Sequence, residues 1–277
     1  MHRSSTSLIT ALFETAGYWL PEDQLPARPD NPKGYWEDRR MHVLHRRLLE
    51  AYNTGWGYAP RLRKLRNRDL TVPDDLREEA AALVAMYGEH EPWVWKNPRA
   101  TLFLEEWARW FPEAVFVICV RRPDAVVDSM LRRKNRFHIS GNSLPRRAAR
   151  MGRGLSAWYT YNLMALRFAK RHPQRCVVVR IPEDIARLDA ARGEKQMDPK
   201  MLRAPRPQVR IPLMFALRAR WLYFRLARRA DPAAAEALLA TPQADRAPGD
   251  VGAAMLAHVL RIAVGTTAAG ALFQAVC

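Results

Sequence analysis

The chain has 277 residues, of which 48% are hydrophobic and 26% are charged, a composition that excludes fibrous and intrinsically disordered proteins. Its 45 Lys and Arg residues against 28 Asp and Glu residues leave a net charge of +17. Such a charge attracts anions, which include nucleic acid, anionic lipid, acidic polysaccharide and phosphorylated nucleotides, and does not by itself choose among them.

Three helices separated by loops are predicted in the first third of the chain. Polar residues at the start and a glycine at the end predict a helix over residues 4–17, and a second helix is predicted over residues 37–51. Residues 54–73 are aromatic and basic, which indicates a surface excursion. Acidic residues in its first turn predict a third helix over residues 74–89.

Three apolar segments, residues 93–95, 114–120 and 176–179, carry the strand signal. They are apolar on both faces, as strands covered by helices on both sides are. Helical patterns follow the first two segments and precede the third. This alternation predicts an α/β fold, a parallel sheet with helices on both faces, whose chemistry gathers at the carboxyl ends of the strands.

The last third of the chain differs from the rest. Residues 201–230 contain eight Arg and no acidic residue, and residues 231–277 are alanine-rich with a helical pattern. We therefore predict a core over residues 1–190 and, over residues 191–277, a basic and then alanine-rich helical extension that packs on the core.

Cysteine usage indicates the compartment. Cys119, Cys176 and Cys277 are far apart, so they form neither a CxxC metal pair nor an even disulfide framework. A reducing interior is the natural setting for such a chain, and we expect a cytoplasmic protein.

The polar residues before the first predicted helix are the first candidate site. Ser4, Ser5, Thr6 and Ser7 follow Arg3 and lead directly into the helix. Backbone N–H groups at a helix start, with the helix dipole behind them and hydroxyls alongside, form a cradle suited to phosphate. The alternative is an ordinary Ser/Thr N-cap.

Basic residues at the ends of two predicted strands are the second candidate. Arg121 follows a buried strand, and the Ser129 hydroxyl lies two turns into the next helix, so the pair could grip one phosphate. The alternative is a strand-end arginine that only meets solvent. Lys96 ends the preceding strand, so we expect these cations to converge with the helix start on one side of the sheet.

Glu37 is the candidate base, because it follows aromatic residues whose packing could raise its pKa by burial. The alternative is a first-turn acid stabilised by the helix dipole. His42 and His45 on the same helix are reserve bases. Two histidines without further ligands at suitable spacing are poor evidence for a metal, and we expect none.

Five segments occur in an order that resembles the sulfotransferase family, over roughly the first two thirds of the chain. They are HRSSTS at residues 2–7, NPKGYWE at 31–37, KNPR at 96–99, VRRP at 120–123 with Ser129, and VRIPEDI at 179–185. The resemblance implies a P-loop-like fold and the donor 3′-phosphoadenosine 5′-phosphosulfate, which leaves as adenosine 3′,5′-bisphosphate.

The resemblance also implies roles for the candidate residues. The segment from Arg3 to Ser7 resembles the loop that binds the 5′-phosphosulfate, with Arg3 where the family has a cation that stabilises the bridging oxygen. Arg121 and Ser129 resemble the pair that binds the 3′-phosphate. Lys96 resembles the basic residue near the transferred group, and Glu37 resembles the catalytic base of some members.

The sequence departs from the family pattern in three places. Ser5 stands where the family usually has Gly, which restricts the backbone if a positive φ is required. Ile181 and Pro182 replace the usual Tyr of an Arg-Tyr-Glu segment. The apolar strand that precedes the loop is absent, so we expect either that the true start lies upstream or that the sheet lacks a central strand, with weak or absent activity in the latter case.

These observations predict transfer of a sulfuryl group to a hydroxyl or amine of a small molecule or glycan, with a carbohydrate preferred by analogy. One alternative is an inactive scaffold that binds polyanions or anionic membranes, with the membrane contact made by the C-terminal extension. A P-loop kinase is a further alternative, although GxxxxGK[ST] is missing. Nucleic acid, the partner that the net charge alone would suggest first, is now the less favoured partner. The sequence does not identify the acceptor or the oligomeric state.

Overall fold

A computed structural model describes residues 4–28, 34–54, 60–132, 143–190, 211, 213–240 and 274–276. The helices are α1 (Thr6–Thr15), α2 (Arg39–Ala51), α3 (Asp74–Gly88), α4 (Leu104–Trp110), α5 (Pro123–Leu131), α6 (Leu144–Arg171), α7 (Ile185–Ala190), α8 (Leu213–Ala227) and α9 (Pro232–Ala240). Short 3-10 helices occupy Pro60–Leu65, Pro98–Leu102 and Pro173–Arg175. The strands are β1 (Trp93–Trp95), β2 (Ala114–Arg121), β3 (Cys176–Ile181) and β4 (Gln274–Val276).

The strands form one parallel sheet in the order β1-β4-β2-β3. In β2 and β3, Phe116 pairs with Cys176 and Arg121 pairs with Ile181, so the two strands end side by side. Because all the strands are parallel, their carboxyl ends share one edge of the sheet. The predicted α/β fold with a parallel sheet is confirmed.

Alternate residues of β1, β2 and β3 enter two separate apolar clusters, one on each face of the sheet. Trp93, Trp95 and Phe116 point to the face that is covered by α2, α3, α4, α6 and α8. Val94 and Val115 point to the opposite face, which α1, α7 and α9 cover. The period of two along the strands therefore explains why these segments are apolar throughout and carry helices on both sides.

The C-terminal residues correct one prediction. Residues 231–277 were expected to be helical, and α9 is, but Gln274–Val276 form β4, which lies between β1 and β2 and pairs in parallel with both. The position between β1 and β2 is thus filled by β4, so the alternative of a sheet without a central strand is wrong. An apolar, alanine-rich run does not distinguish a helix from a buried strand by its pattern, and the facing edges of β1 and β2 supply the backbone partners.

Residues 54–73 also differ from the prediction. They were expected to be a surface excursion, but Leu62, Leu65, Leu70 and Val72 are buried against α2, α3 and α6. The segment contains exposed arginines between the buried apolar residues, so its overall composition is basic. Composition alone therefore did not predict that the apolar residues face inward. The described residues 60–73 therefore contribute to the core.

The basic and alanine-rich extension packs on the sheet through its two described helices. α8 contacts α5, α6, β2 and β3, and α9 contacts β3 and α7. The rest of the predicted extension, residues 191–210, 212, 241–273 and 277, lies outside the described residues. Of the helices that the structure describes, none is long and apolar enough to cross a membrane.

Candidate active site

The start of α1 has the features of an anion cradle. Ser5 precedes the helix in the left-handed conformation, with φ 57 and ψ 27, and makes no side-chain capping bond. Its carbonyl accepts hydrogen bonds from the N–H groups of Leu8 and Ile9 at 3.0 and 3.2 Å. The N–H groups of Thr6 and Ser7 therefore precede the first intrahelical bonds, and no residue in the described part of the chain accepts from them. Ser5 stands where the family that the sequence resembles usually has Gly, and its positive φ is a conformation that glycine adopts without strain.

Ser4 adds a polar atom at the same place. Its side chain is 1% exposed, and its hydroxyl has no hydrogen-bond partner within the described part of the chain. A buried hydroxyl without a partner costs free energy unless a ligand or water satisfies it. Arg3, which the sequence places next to it, lies outside the described residues.

Lys96 joins three segments that are far apart in the sequence. It follows β1, is 3% exposed, and donates hydrogen bonds to Glu37 Oε1 at 2.7 Å, to the Tyr35 carbonyl at 2.9 Å and to Ser7 Oγ at 3.2 Å. Ser7 Oγ in turn donates to the Tyr35 carbonyl at 3.2 Å. The structure thus brings together Ser7, Glu37 and Lys96, the predicted residues of the first helix, the loop before the second helix and the first strand.

Glu37 lies in a buried network of cations. Its Oε2 is 3.5 Å from Arg99 Nη1 and 3.1 Å from His42 Nδ1, while Oε1 accepts from Lys96. Burial by itself raises the pKa of Glu37, but Lys96, the His42 hydrogen bond and Arg99 outweigh it and hold that pKa well below its usual range. The expectation that burial would raise the pKa of Glu37 toward that of a base is wrong, because its neighbours are cationic.

The alternative interpretation of Glu37 as a first-turn helix acid is also wrong. The residue that caps α2 is Asp38, whose side chain accepts from the Arg40 N–H at 2.7 Å and from the Tyr87 hydroxyl at 3.0 Å. Glu37 therefore precedes the helix, and its carboxylate is directed to Lys96 and Arg99 instead.

Arg99 is a site residue that the sequence analysis did not single out, although it belongs to the quoted KNPR segment. Asn97 caps the 3-10 helix after β1 by accepting from the Arg99 N–H at 3.0 Å, and Pro98 takes the first position of that helix, where no N–H is needed. This turn directs the 3%-exposed Arg99 back to Glu37. The signal was present in the Asn-Pro capping pattern of the segment.

The two reserve bases have different surroundings. His42 lies at the edge of the Glu37 network with 17% of its side chain exposed. His45 is fully buried between Trp95, Phe103 and Trp107, where its Nδ1 bonds the Met41 carbonyl and its Nε2 accepts from Trp107 Nε1 at 3.1 Å. Burial lowers the pKa of His45 to about 3. His45 is therefore a core residue, and the expectation that it is a reserve base is wrong, because both of its ring nitrogens are bonded in the core.

Arg121 and Ser129 are both buried, on β2 and α5 respectively. Burial, followed by the charge of Arg132, lowers the pKa of Arg121. The solvent-exposed arginine at this strand end is instead the neighbouring Arg122, which bonds both carboxylate oxygens of Asp124 at 3.2 and 2.8 Å. The alternative of a strand-end arginine that only meets solvent is therefore wrong for Arg121.

Cys119 is a buried cysteine near the carboxyl end of β2. It lies on β2 in the apolar cluster that α1 covers, and Arg121 follows two residues later on the same face of the strand. Burial raises the pKa of Cys119 to about 12, against an opposing effect of the Lys96 charge. In the described residues, no group of three or more His, Cys, Asp and Glu side chains could hold a metal ion.

Comparisons with known proteins agree with the order of motifs. A model of the sulfotransferase family matches residues 1–185, more than half of the chain. The comparisons with curated proteins and with solved structures each found no match.

Proposed function

Because the chain belongs to the sulfotransferase family, we propose that it transfers a sulfuryl group from 3′-phosphoadenosine 5′-phosphosulfate to a hydroxyl or amine acceptor. The observation that carries the proposal is the meeting of Lys96, Ser7 and Glu37 at the uncapped start of α1. A cation, a hydroxyl and unused amides at one strand edge form a site for an anion that gains charge during a reaction.

The start of α1 fits the phosphosulfate end of the donor. The amides of Thr6 and Ser7 and the hydroxyl of Ser4 would hold it, since they are donors at the positive end of a helix. Bound there, the donor supplies the sulfuryl group and leaves as adenosine 3′,5′-bisphosphate. We assign Arg3 to the same end of the donor, and Arg121 with Ser129 to its 3′-phosphate, by resemblance to the family.

Lys96 would stabilise the negative charge of the departing phosphate. Its ammonium has three hydrogens, and Ser7, Tyr35 and Glu37 already accept from it. Anion binding therefore requires Lys96 to exchange one partner, and Ser7 Oγ, at 3.2 Å the longest of the three contacts, is the one we expect it to release. Glu37 then keeps the ammonium in place and charged.

We assign the acceptor's proton to the pair of His42 and Glu37. The Glu37 carboxylate is ionised and can only accept, so we assign the hydrogen in their 3.1 Å contact to Nδ1 of His42. Arg99 Nη1, also a donor, lies farther from this nitrogen, at 3.4 Å, and Nε2 is then the basic nitrogen of the ring. Glu37 orients the imidazole and stabilises the cation that forms when the ring takes a proton. Glu37 itself, with its lowered pKa, is a weak base in this network.

A transfer assay tests the proposed function. The purified protein is incubated with ³⁵S-labelled donor and three acceptors, a chito-oligosaccharide, glucosamine and 4-nitrophenol, and labelled product is counted. We expect product with the wild type and a loss of about a hundredfold to a thousandfold in Lys96→Met, because a preorganised donor to the developing charge is removed.

The matched control is Lys64→Met, which removes the same charge from an exposed lysine that makes no ion pair with the described residues. This variant should retain wild-type activity. Equal activity of Lys96→Met and the wild type, or phosphoryl transfer from ATP in place of sulfuryl transfer, would contradict the assignment.

A further inference from the structure

α8 has a second apolar face that does not pack on the core. The side chains of Leu217, Trp221 and Phe224 are 61%, 54% and 57% exposed. They are spaced four and three residues apart, which places them on one face of the helix. The face that packs on the sheet and α6 consists of other residues: Ala219, Leu222 and Leu226.

Arginines surround the exposed apolar face. Five of them are exposed on α8 or just after it: Arg218, Arg220, Arg225, Arg228 and Arg229. None of their side chains makes a hydrogen bond or an ion pair with the described residues, and residues 201–230 contain no acidic side chain. The Arg225 guanidinium lies 5.4 Å from the centre of the Trp221 ring, so it extends over the apolar face and not away from it.

The orientation of α8 is fixed by its buried side. Besides the buried apolar residues, the Tyr223 hydroxyl donates to Glu183 Oε1 at 3.4 Å, next to the end of β3. Rotating the helix to bury Trp221 and Phe224 would expose Leu222 and Leu226. The exposed face is therefore a stable feature of the packing, and it carries more apolar area than an isolated surface residue would.

We propose that the face formed by Leu217, Trp221, Phe224 and the arginines around them binds the surface of an anionic lipid membrane. Large apolar and aromatic side chains flanked by arginines match the boundary between acyl chains and acidic headgroups, where each part finds its partner. A nucleic acid would satisfy the arginines but offers an exposed leucine no stacking partner. The helix would lie along the surface, and the proposal does not depend on sulfuryl transfer.

Co-sedimentation with vesicles tests this proposal on the full chain. The lipids are phosphatidylcholine alone and phosphatidylcholine with about 30% phosphatidylglycerol, at physiological ionic strength. We expect the wild type to bind the anionic vesicles and not the neutral ones. The variant Leu217→Ser/Trp221→Ser/Phe224→Ser should bind at least about tenfold more weakly, because its apolar insertion is lost.

Two control variants separate this face from general charge and general hydrophobicity. Leu144→Ser removes an 81%-exposed leucine from the start of α6 and should bind as the wild type does. Arg220→Glu/Arg225→Glu should weaken binding at least about tenfold, and Arg61→Glu/Arg68→Glu, with the same change in net charge elsewhere, by less than about twofold. Circular dichroism and thermal unfolding check that each variant is folded.

Three results would overturn the proposal. They are absence of wild-type binding to the anionic vesicles, equal binding of the triple serine variant and the wild type, and equal loss in the two charge-reversal variants. If vesicle binding is absent and a 20-base-pair DNA duplex binds the wild type and the triple serine variant alike, the arginines form a nucleic-acid surface instead.

Discussion

His42 and His45 are one turn apart on α2 and have opposite environments. His42 contacts a carboxylate that two cations hold ionised, at the edge where the strands end. His45 is enclosed by aromatic rings, and both of its ring nitrogens are bonded within the core. The comparison shows that the chemistry of the site depends on the charged network around Glu37 and not on the helix that carries the histidines.

The largest expected effect comes from breaking the charged network. Lys96→Met leaves Glu37 buried with one cation removed, and we expect it to lower the free energy of unfolding by about 3–5 kcal/mol. Urea denaturation at pH 7 measures this change. Lys64→Met, at an exposed position, should change the free energy of unfolding by less than about 0.5 kcal/mol. If both variants cost the same, the network does not stabilise the fold.

Replacing His42, the proposed base, should lower kcat without disturbing the packing of the apolar core. His42→Gln is expected to lower kcat by about a hundredfold or more, because glutamine cannot take up the acceptor's proton. Glu37→Gln should also lower kcat, and its loss should not add fully to that of His42→Gln, since the two act as a unit. An unchanged kcat in His42→Gln would exclude His42 as the base.

The arrangement of the charged network was partly predictable from the sequence. Lys96 follows an apolar run, and the ends of parallel strands lie at the edge where chemistry is expected, so its meeting with the first helix could be expected. The lowered pKa of Glu37 could not be, because it depends on distances to Lys96 and Arg99 that folding sets. The place of β4 could not be predicted either, since three residues at the C-terminus pair with strands more than 150 residues earlier.

His45 should make the stability of the fold depend on pH. Its pKa falls from 6.5 in the unfolded chain to about 3 in the folded one, so between these values only the unfolded chain takes up the proton. The stabilisation is complete above pH 6.5 and is lost as the pH falls, with a slope of up to about 1.4 kcal/mol per pH unit. Urea denaturation between pH 7 and pH 5 measures the slope, above the range in which Glu37 contributes.

A variant assigns that slope to His45. His45→Gln should flatten the dependence between pH 6.5 and pH 5 whatever its cost at pH 7, because glutamine does not titrate there. A slope that survives in His45→Gln belongs to another group.

The smallest expected effect is an increase in the free energy of unfolding on replacing Ser5. Its φ of 57 is strained for any residue with a Cβ, and its side chain makes no capping bond that would be lost. Ser5→Gly should therefore raise the free energy of unfolding by about 0.5–1 kcal/mol, measured by thermal unfolding. Ser5→Ala retains the Cβ and should give no gain, so a gain of equal size in both variants would contradict the explanation.

The most direct test of the central claim, a donor site at the strand ends, is calorimetric titration with adenosine 3′,5′-bisphosphate and with adenosine 5′-monophosphate. The account predicts saturable binding of both ligands, tighter for the bisphosphate. In Arg121→Ala, the bisphosphate should bind at least about tenfold more weakly while the monophosphate is little affected, because the variant removes a charge-assisted contact to the 3′-phosphate alone. Absence of bisphosphate binding to the wild type, or an equal loss for both ligands in Arg121→Ala, would contradict it.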